Sequence, residues 1–341
     1  MNIAHVVVTD AYAGAEAHAA RLSRAQASTG HRVVLVGGAE AAMREAAGPD
    51  VTVLPGRSVR EALRSLRRLA TPPAVVHAHL TAAETAATAY GPVLRGRVPL
   101  VVTRHIALPR GQSTLGGLAA PVIRRRVAAQ IAISSYVAAS IDGESVVVHP
   151  GVDPEPDAPP AAERRPIALV AQRLEAEKAT DLALRAFAAS RLVDDGWELH
   201  VAGEGALRGD LEKLAEDLGI SHATRFLGRR TDVPDLQRSA SVLLAPCPVE
   251  GFGLSVLEAM SRGLPVVAAR AGGHLDLLAG LSHHALVEPG NADDAARALG
   301  ALARDPGARD AYGRAAQERQ RARFTLDAQV RGTEAVYRDV L

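Results

Sequence analysis

At 341 residues the chain has room for about two domains. With 48% hydrophobic residues it can bury a core in each, which excludes a disordered chain. Thirty-nine Lys+Arg against 38 Asp+Glu leave a net charge of +1, so no basic excess points to nucleic acid.

Short β-branched runs alternate with Ala/Leu/Arg segments of helical period. The first half predicts strands at 3–8, 32–36, 51–54, 74–77, 100–103, 129–133 and 145–149, and helices at 16–28, 59–69, 81–90, 117–128 and 136–140. The tract 154–166 then holds five prolines and sustains no regular element, so 151–165 reads as a linker. Strands resume at 166–171, 198–202, 224–226, 242–246, 265–268 and 284–287, with helices at 179–192, 207–218, 233–240, 254–261, 292–303, 306–321 and 325–340. Apolar strands alternating with helices predict an α/β architecture: two doubly wound, Rossmann-like parallel-sheet domains at 1–150 and 166–322, then a terminal helix at 323–341. Ligands of such sheets sit at the carboxyl ends of the strands, and two domains facing one another put the expected site in an inter-domain cleft.

The start of the chain, Met1-Asn2-Ile3-Ala4-His5-Val6-Val7-Val8, reads as a strand rather than a secretory leader. No apolar run approaches the ~20 residues of a spanning helix, so the expectation is a cytoplasmic protein. Cys247 is the single cysteine, which excludes an internal disulfide, and the expectation for it is packing. Only Lys178 and Lys213 are lysines; the remaining thirty-seven basic residues are arginines. That ratio, with the high alanine content, points to GC-rich codon usage.

The richest stretch is Pro246-Cys247-Pro248-Val249-Glu250-Gly251-Phe252-Gly253-Leu254-Ser255-Val256-Leu257-Glu258-Ala259-Met260-Ser261-Arg262-Gly263-Leu264-Pro265-Val266. A strand ends, a glycine-containing loop follows, and a helix starts near Leu254. Gly251 and Gly253 allow close backbone approach, and the helix start offers amides and a positive dipole end to an anion. Glu250 and Glu258 frame that site, an arrangement suited to a sugar nucleotide. The spacing alone is common: Glu155/Glu163 and Glu204/Glu212 share it, and only the third pair has the glycines and the helix start.

This stretch resembles the retaining glycosyltransferases of family 4, with the GT-B fold, whose signature is E-G-F-G-x-x-x-x-E-A-M-x-x-G-x-P-V. Ala13-Gly14-Ala15-Glu16, Thr29-Gly30-His31-Arg32-Val33, Val76-His77-Ala78-His79 and Thr103-Arg104-His105 also look like family motifs. So do His149-Pro150-Gly151-Val152-Asp153, Arg173-Leu174 with Lys178, Phe226-Leu227-Gly228 and Ala271-Gly272-Gly273. The resemblance implies an acceptor-binding first domain, a nucleotide-sugar-binding second domain, and a last helix that crosses back to the first. It implies that Arg173 and Lys178 clamp the donor diphosphate, that Glu258 holds the ribose and Glu250 the donor sugar, that Gly14 admits phosphate and acceptor, and that His105 lies beside the transferred sugar. Gly251, Phe252, Gly253, Leu254, Ser255, Gly203 and Gly228 would line the nucleotide. The implied reaction retains the anomeric configuration by front-face attack, with donor phosphate as base and no cofactor beyond the donor substrate. No Asp-x-Asp occurs, so the Arg–Lys clamp stands where a metal would, and no metal is expected.

The chain departs from the pattern at Ala13, Ala179, Leu275, Asp276 and Glu288, which implies an unusual donor-sugar or acceptor pocket. The loops around 79–115 and 270–278 carry those contacts. His77-Ala78-His79 could be the metal pair of a hydrolase, but no second His-x-His or cysteine partner supports that, so a structural or acceptor-side role is expected for His79. His283-His284 reads as a surface turn. The basic faces Arg60/Arg64/Arg67/Arg68 and Arg124–Arg126 read as solvated, with peripheral attachment to anionic lipid as the minority reading. The acceptor is a small molecule, a glycan or a lipid. The alternatives are a nucleotide-sugar epimerase of the same fold and a catalytically silent sugar-nucleotide-binding protein.

Overall fold

The computed structural model describes residues 1–110 and 114–341, with the backbone alone for 114–119. The part of the 79–115 loop region at 111–113 lies outside the described residues. The chain divides into two compact units, Met1–Gly151 with Leu326–Leu341, and Val152–Thr325.

Unit 1 is a seven-stranded parallel sheet in the order β3-β2-β1-β4-β5-β6-β7. Its strands are β1 (Asn2–Val7), β2 (Arg32–Val36), β3 (Val51–Leu54), β4 (Val75–His79), β5 (Leu100–Arg104), β6 (Val127–Ala132) and β7 (Val146–Val147). The core strands are buried along their length because helices cover both faces, which is why they read as continuous apolar runs. The strand expected at 74–77 continues to His79, so both histidines of the His-x-His pair lie within β4. The strand expected at 145–149 shrinks to two exposed residues at the sheet edge. Helices at Glu40–Ala47 and Gly91–Leu94 were not predicted; they are short, and propensity is weak evidence over one or two turns.

The last helix, Leu326–Val340, belongs to unit 1. Leu326, Val330, Thr333 and Tyr337 recur at spacings of three and four, giving one inward face. Leu326 and Val330 pack on Leu22 and Ala25. Val336 and Tyr337 pack among Ile3, Val75, Val101 and Ile131.

Unit 2 is a six-stranded parallel sheet in the order β10-β9-β8-β11-β12-β13. Its strands are β8 (Ile167–Ala171), β9 (Glu198–Ala202), β10 (Thr224–Gly228), β11 (Val242–Ala245), β12 (Val266–Ala269) and β13 (Leu286–Val287). Each sheet is thus doubly wound, and its strand order reverses once, between β1 and β4 in unit 1 and between β8 and β11 in unit 2. The helix expected at 179–192 is divided. A 3₁₀ turn occupies Ala176–Lys178, the α-helix runs Thr180–Ser190, and Ala179 (φ 51°) and Arg191 (φ 57°) flank it in the left-handed region.

The proline-rich tract, read from sequence as an inter-domain linker, is fastened to the rest of unit 2 by side chains. Glu155 accepts from Arg238 at 2.9 Å and from Arg262 at 2.8 Å. The Pro156 carbonyl accepts from Gln317 at 2.7 Å. Arg164, buried, donates to the carbonyls of Gln237, Arg238, Ala240 and Arg262. Prolines lack the amide for a ladder, so the tract docks through its neighbours' side chains instead. No helix among the described residues is long and apolar enough to cross a membrane. The two arginine faces, Arg60/Arg64/Arg67/Arg68 and Arg124–Arg126, are exposed.

Candidate functional site

In unit 2 the functional candidates gather at the carboxyl ends of β8 and β11, on either side of the strand-order reversal. After β8, Gln172 donates to the Lys178 carbonyl at 2.9 Å and to Thr180 Oγ1 at 3.0 Å, which folds 173–180 into a compact turn. After β11, Cys247 Sγ donates to the Glu177 carbonyl at 3.1 Å and ties the second loop to that turn. The cysteine is buried, and burial pushes its thiol pKa up, as its packing role requires. These two ties bring Lys178 Nζ to 2.6 Å from Glu250 Oε2, with side chains 16% and 24% exposed. Arg173 lies on the exposed side of the same turn and pairs with Glu177 at 2.7 Å.

Past Glu250 the chain turns into the helix Leu254–Ser261 through Gly253, at φ 100°. The first intrahelical bond runs from Leu257 N to Gly253 O at 2.9 Å, so the amides of Leu254, Ser255 and Val256 precede it. Ser255 Oγ is buried there without a hydrogen-bond partner among the described residues. Glu258 follows one turn in and is half-buried. The Gly272-Gly273 pair braces the loop from behind: Gly273 N donates to the Glu250 carbonyl at 2.9 Å, and Gly272 sits at φ 56° with no room for a side chain against that carbonyl. Phe252 is the exception among the expected nucleotide contacts. Its ring is buried against Phe324, with centroids 5.9 Å apart, and so anchors the loop in the core. Gly203 and Gly228 meet at the ends of β9 and β10, where Gly203 N donates to Gly228 O at 2.9 Å. Gly203 has the Gln172 carbonyl in the place of a side chain.

Two residues of this site were not singled out from sequence. Gln172 follows the first strand of the unit and shapes the Lys178 turn. His274 is buried beside Gly253 and donates from Nδ1 to the Ala269 carbonyl at 3.1 Å. Burial lowers its pKa, so it is a neutral imidazole near Glu250. The only sequence signal for it is its place directly after the double glycine.

Unit 1 concentrates histidines at its own reversal point. His5 on β1 stands opposite His77 on β4, and His79 follows two residues on, all fully buried. His5 Nδ1 lies 3.0 Å from His79 Nε2, and His79 Nδ1 lies 3.1 Å from His105 Nε2, just beyond β5. His5 Nε2 reaches Gln26 Oε1 at 2.7 Å, and His77 is held by Tyr337 and Thr103, both at 2.6 Å. His18, on the helix Gly14–Ser28, packs edge-on against His105 with ring centroids 4.8 Å apart. Burial holds His5 and His105 at about 4 and lowers His18, His77 and His79 well below the ordinary imidazole value. Gly14 opens the helix that carries His18. Its neighbour Ala13, where the family motif has glycine, has extended backbone (φ −138°) that any residue adopts. Leu80, after His79, has φ 71° and ψ 158°, a conformation strained for a side-chain-bearing residue. Two groups of three histidines, His5/His77/His79 and His18/His79/His105, each bring ring nitrogens within 4.8 Å of one another. His283 and His284 lie side by side in a surface turn, their rings tilted by 47° with 3.8 Å between centroids.

Comparison with known proteins matches both halves. The family model described as "Glycosyl transferases group 1" matches residues 152–319, and that described as "Glycosyltransferase Family 4" matches residues 12–156. The chain is 37% identical over 215 residues to a D-inositol 3-phosphate glycosyltransferase of Kribbella flavida, covering 56% of this chain and 50% of that protein. It is 29% identical over 232 residues to the lipopolysaccharide core biosynthesis mannosyltransferase LpcC of Rhizobium leguminosarum, covering 64% and 66%. The match spans about half the length of the curated relatives at the higher identities. Among solved structures, Anabaena Alr3699/HepE in complex with UDP and glucose superposes with a TM-score of 0.81 at 19% identity, covering 99% of this chain and 100% of that one. The apo lipopolysaccharide outer core galactosyltransferase WaaB superposes with a TM-score of 0.68 at 17% identity, covering both chains fully. At such identities the likeness is one of fold.

Proposed function

The chain belongs to the group 1, family 4 glycosyltransferases of GT-B fold, and on that premise we propose that it moves a sugar from a nucleoside-diphosphate sugar to an acceptor with retention of anomeric configuration. The observation that carries this reading is the Lys178–Glu250 pair at the unit 2 reversal point, beside the start of the helix Leu254–Ser261. The diphosphate takes the first-turn amides, the Ser255 hydroxyl that lacks a partner, and the ammonium of Lys178, with Arg173 swinging in from Glu177. Solved neighbours include HepE bound to UDP and to UDP-glucose, which supports a donor of this class.

Before the donor binds, Glu250 satisfies Lys178. The incoming diphosphate competes for that ammonium and frees the Glu250 carboxylate to accept from sugar hydroxyls, while Glu258 accepts from the ribose. Glu250, once occupied by sugar hydroxyls, serves as a hydrogen-bond acceptor rather than a nucleophile in this reading, which goes with front-face attack in which the departing phosphate oxygen takes the acceptor proton. Charge growing on that phosphate is met by Lys178 and Arg173, and such preorganised stabilisation is usually the largest catalytic term. In this reading no divalent cation is needed on the diphosphate. In unit 1, Gly14 and His105 stand at strand carboxyl ends, and we assign the acceptor to that edge.

The test is a panel of UDP-, GDP-, ADP- and dTDP-sugars incubated with and without inositol phosphate, glycan and lipid acceptors. Acceptor-dependent release of nucleoside diphosphate is the expected result. Isomerisation without acceptor would make the protein an epimerase, and binding without turnover would make it a silent sugar-nucleotide binder.

A further inference from the structure

We propose that unit 1 binds one late-transition divalent cation, zinc by preference, through His18, His79 Nδ1 and His105 Nε2, and that the cation keeps a position open for an oxygen ligand. The inference stands on unit 1 alone and does not depend on the donor clamp of unit 2. Ligand nitrogens of the three histidines lie within 4.8 Å of one another, and His79 Nδ1 and His105 Nε2 are 3.1 Å apart. Zinc–nitrogen bonds of ~2.0–2.1 Å in a tetrahedral site separate ligand nitrogens by roughly 3.3–3.4 Å, so one edge of the triangle is already at ligand spacing. His18 lies within 4.8 Å of both and so has up to ~1.5 Å to close, and its Nε2 would exchange a 3.1 Å contact with Gln329 for the cation.

A second triad, His5, His77 and His79, is equally tight but committed elsewhere. Both nitrogens of His77 are held at 2.6 Å, by Tyr337 and Thr103, and all three rings are fully buried. The outer triad differs in that His105 is half-buried and gives an ion a way in. The inner histidines serve it instead. With Gln26 Oε1 accepting from His5 Nε2–H, His5 Nδ1 accepts from His79 Nε2–H, and His79 Nδ1 is left with its lone pair facing His105. This is the outer-shell arrangement that orients a metal-bound imidazole. On binding, His105 gives Nε2 to the cation and carries its proton on Nδ1.

The donor set selects the ion. Three imidazoles with no carboxylate or thiolate suit zinc, nickel or copper and disfavour magnesium and calcium, which prefer oxygen. Three protein ligands leave zinc an open fourth position, and the β1/β4 reversal point is where this sheet receives ligands. A hydroxide, phosphate or carboxylate oxygen there also offsets the charge of a cation with no acidic ligand.

The experiment uses the full, tag-free, metal-stripped chain, titrated with cobalt and followed by visible absorption, with zinc affinity from competition against a chromogenic chelator. One equivalent with an intense tetrahedral cobalt spectrum is expected. His18→Ala and His105→Ala should each weaken zinc by at least ~100-fold, more than an outer-shell change costs, and His283→Ala should leave it unchanged. Circular dichroism establishes that the variants fold; should one fail to fold, zinc-edge absorption of the wild-type chain counts the nitrogen ligands directly. Substoichiometric binding, an octahedral cobalt spectrum, fewer than three nitrogens at zinc, or wild-type affinity in a folded His18→Ala or His105→Ala chain overturns the proposal.

Discussion

Replacing Lys178 by alanine removes the one ammonium aimed at the donor site while leaving the turn that carries it. Gln172 holds that turn through the residue 178 carbonyl, which the substitution keeps. The stability cost is modest. Lys178 and Glu250 are 16% and 24% exposed, between a surface pair worth ~0.2–1 kcal/mol and a buried one, and Glu250 can turn to water. About 1 kcal/mol follows, or ~2–4 °C in Tm for a unit of this size. The catalytic cost is larger. Losing one preorganised donor to the leaving group costs about 10²–10³ in kcat, or roughly 2.7–4 kcal/mol. Nucleoside diphosphate release with the acceptor found in the panel is measured at 25 °C, with Tm recorded on the same samples. The expected result is kcat down at least ~100-fold in a folded enzyme. A kcat near wild type with only a raised KM would show that Lys178 binds ground and transition states alike, and would refute the clamp.

Ala179→Gly relieves a left-handed alanine (φ 51°) and should raise stability by about 0.5–1 kcal/mol, the backbone strain less the entropy that glycine adds to the unfolded chain; a lower melting temperature would contradict it. Gly272→Ala drives a side chain into the Glu250 carbonyl and should cost more than about 2 kcal/mol of stability, read as a lower Tm, and abolish stabilisation by the nucleoside diphosphate identified in the panel; retention of both would show the brace to be soft. The pH dependence follows from the histidines. Folded pKa values of about 4 for His5 and His105 lie below the unfolded value near 6.5, so their stabilisation is complete above pH 6.5 and lost as pH falls towards 4. Up to about 3 kcal/mol each is at stake, and a Tm that is flat from pH 6.5 to 5 would be evidence against neutral buried rings. Chelator should leave the stabilisation by the nucleoside diphosphate identified in the panel unchanged; loss with EDTA and recovery with magnesium would show a cation on the diphosphate.

Much of unit 2's site was legible because its information is local. Glu250, the two glycines and the helix start lie within six residues, and periodicity alone places the helix. The Lys178 turn was legible in position but not in shape, since Gln172 and Cys247, which fix it, act through contacts of 6 and 70 residues' separation. The packing of the Phe252 ring was illegible for the same reason: its partner Phe324 is distant in sequence. The histidine cluster was illegible as a cluster. Its members come from β1, β4, the first helix and the end of β5, and a buried polar side chain carries no period that marks it. The fastening of the proline tract was not legible, because composition reports only the absence of regular structure, and contacts from arginine and glutamine side chains need none.

The two units use one sheet plan to hold opposite chemistries. Each has a strand-order reversal where neighbouring elements bring side chains to a common point, from the loops after β8 and β11 in unit 2 and from β1, β4, the first helix and the end of β5 in unit 1. In unit 2 the delivered groups are a permanent cation and a carboxylate on the surface side of the loops, able to exchange partners when an anion arrives. In unit 1 they are neutral imidazoles sunk below the surface, locked into a directional chain that ends on Gln26. That contrast bears on the composition. Thirty-seven of 39 basic residues are arginine, so lysine at 178 runs against the bias of the whole chain. The reason is geometric. Residue 178 closes a 3₁₀ turn whose carbonyl is already bonded to Gln172, and its side chain meets Glu250 by a single 2.6 Å contact from Nζ. A compact charge with three rotatable donors can pass from that carboxylate to a phosphate oxygen without moving its backbone. A planar guanidinium would engage Glu250 through two donors at once, hold it more firmly, and resist the exchange on which donor binding depends.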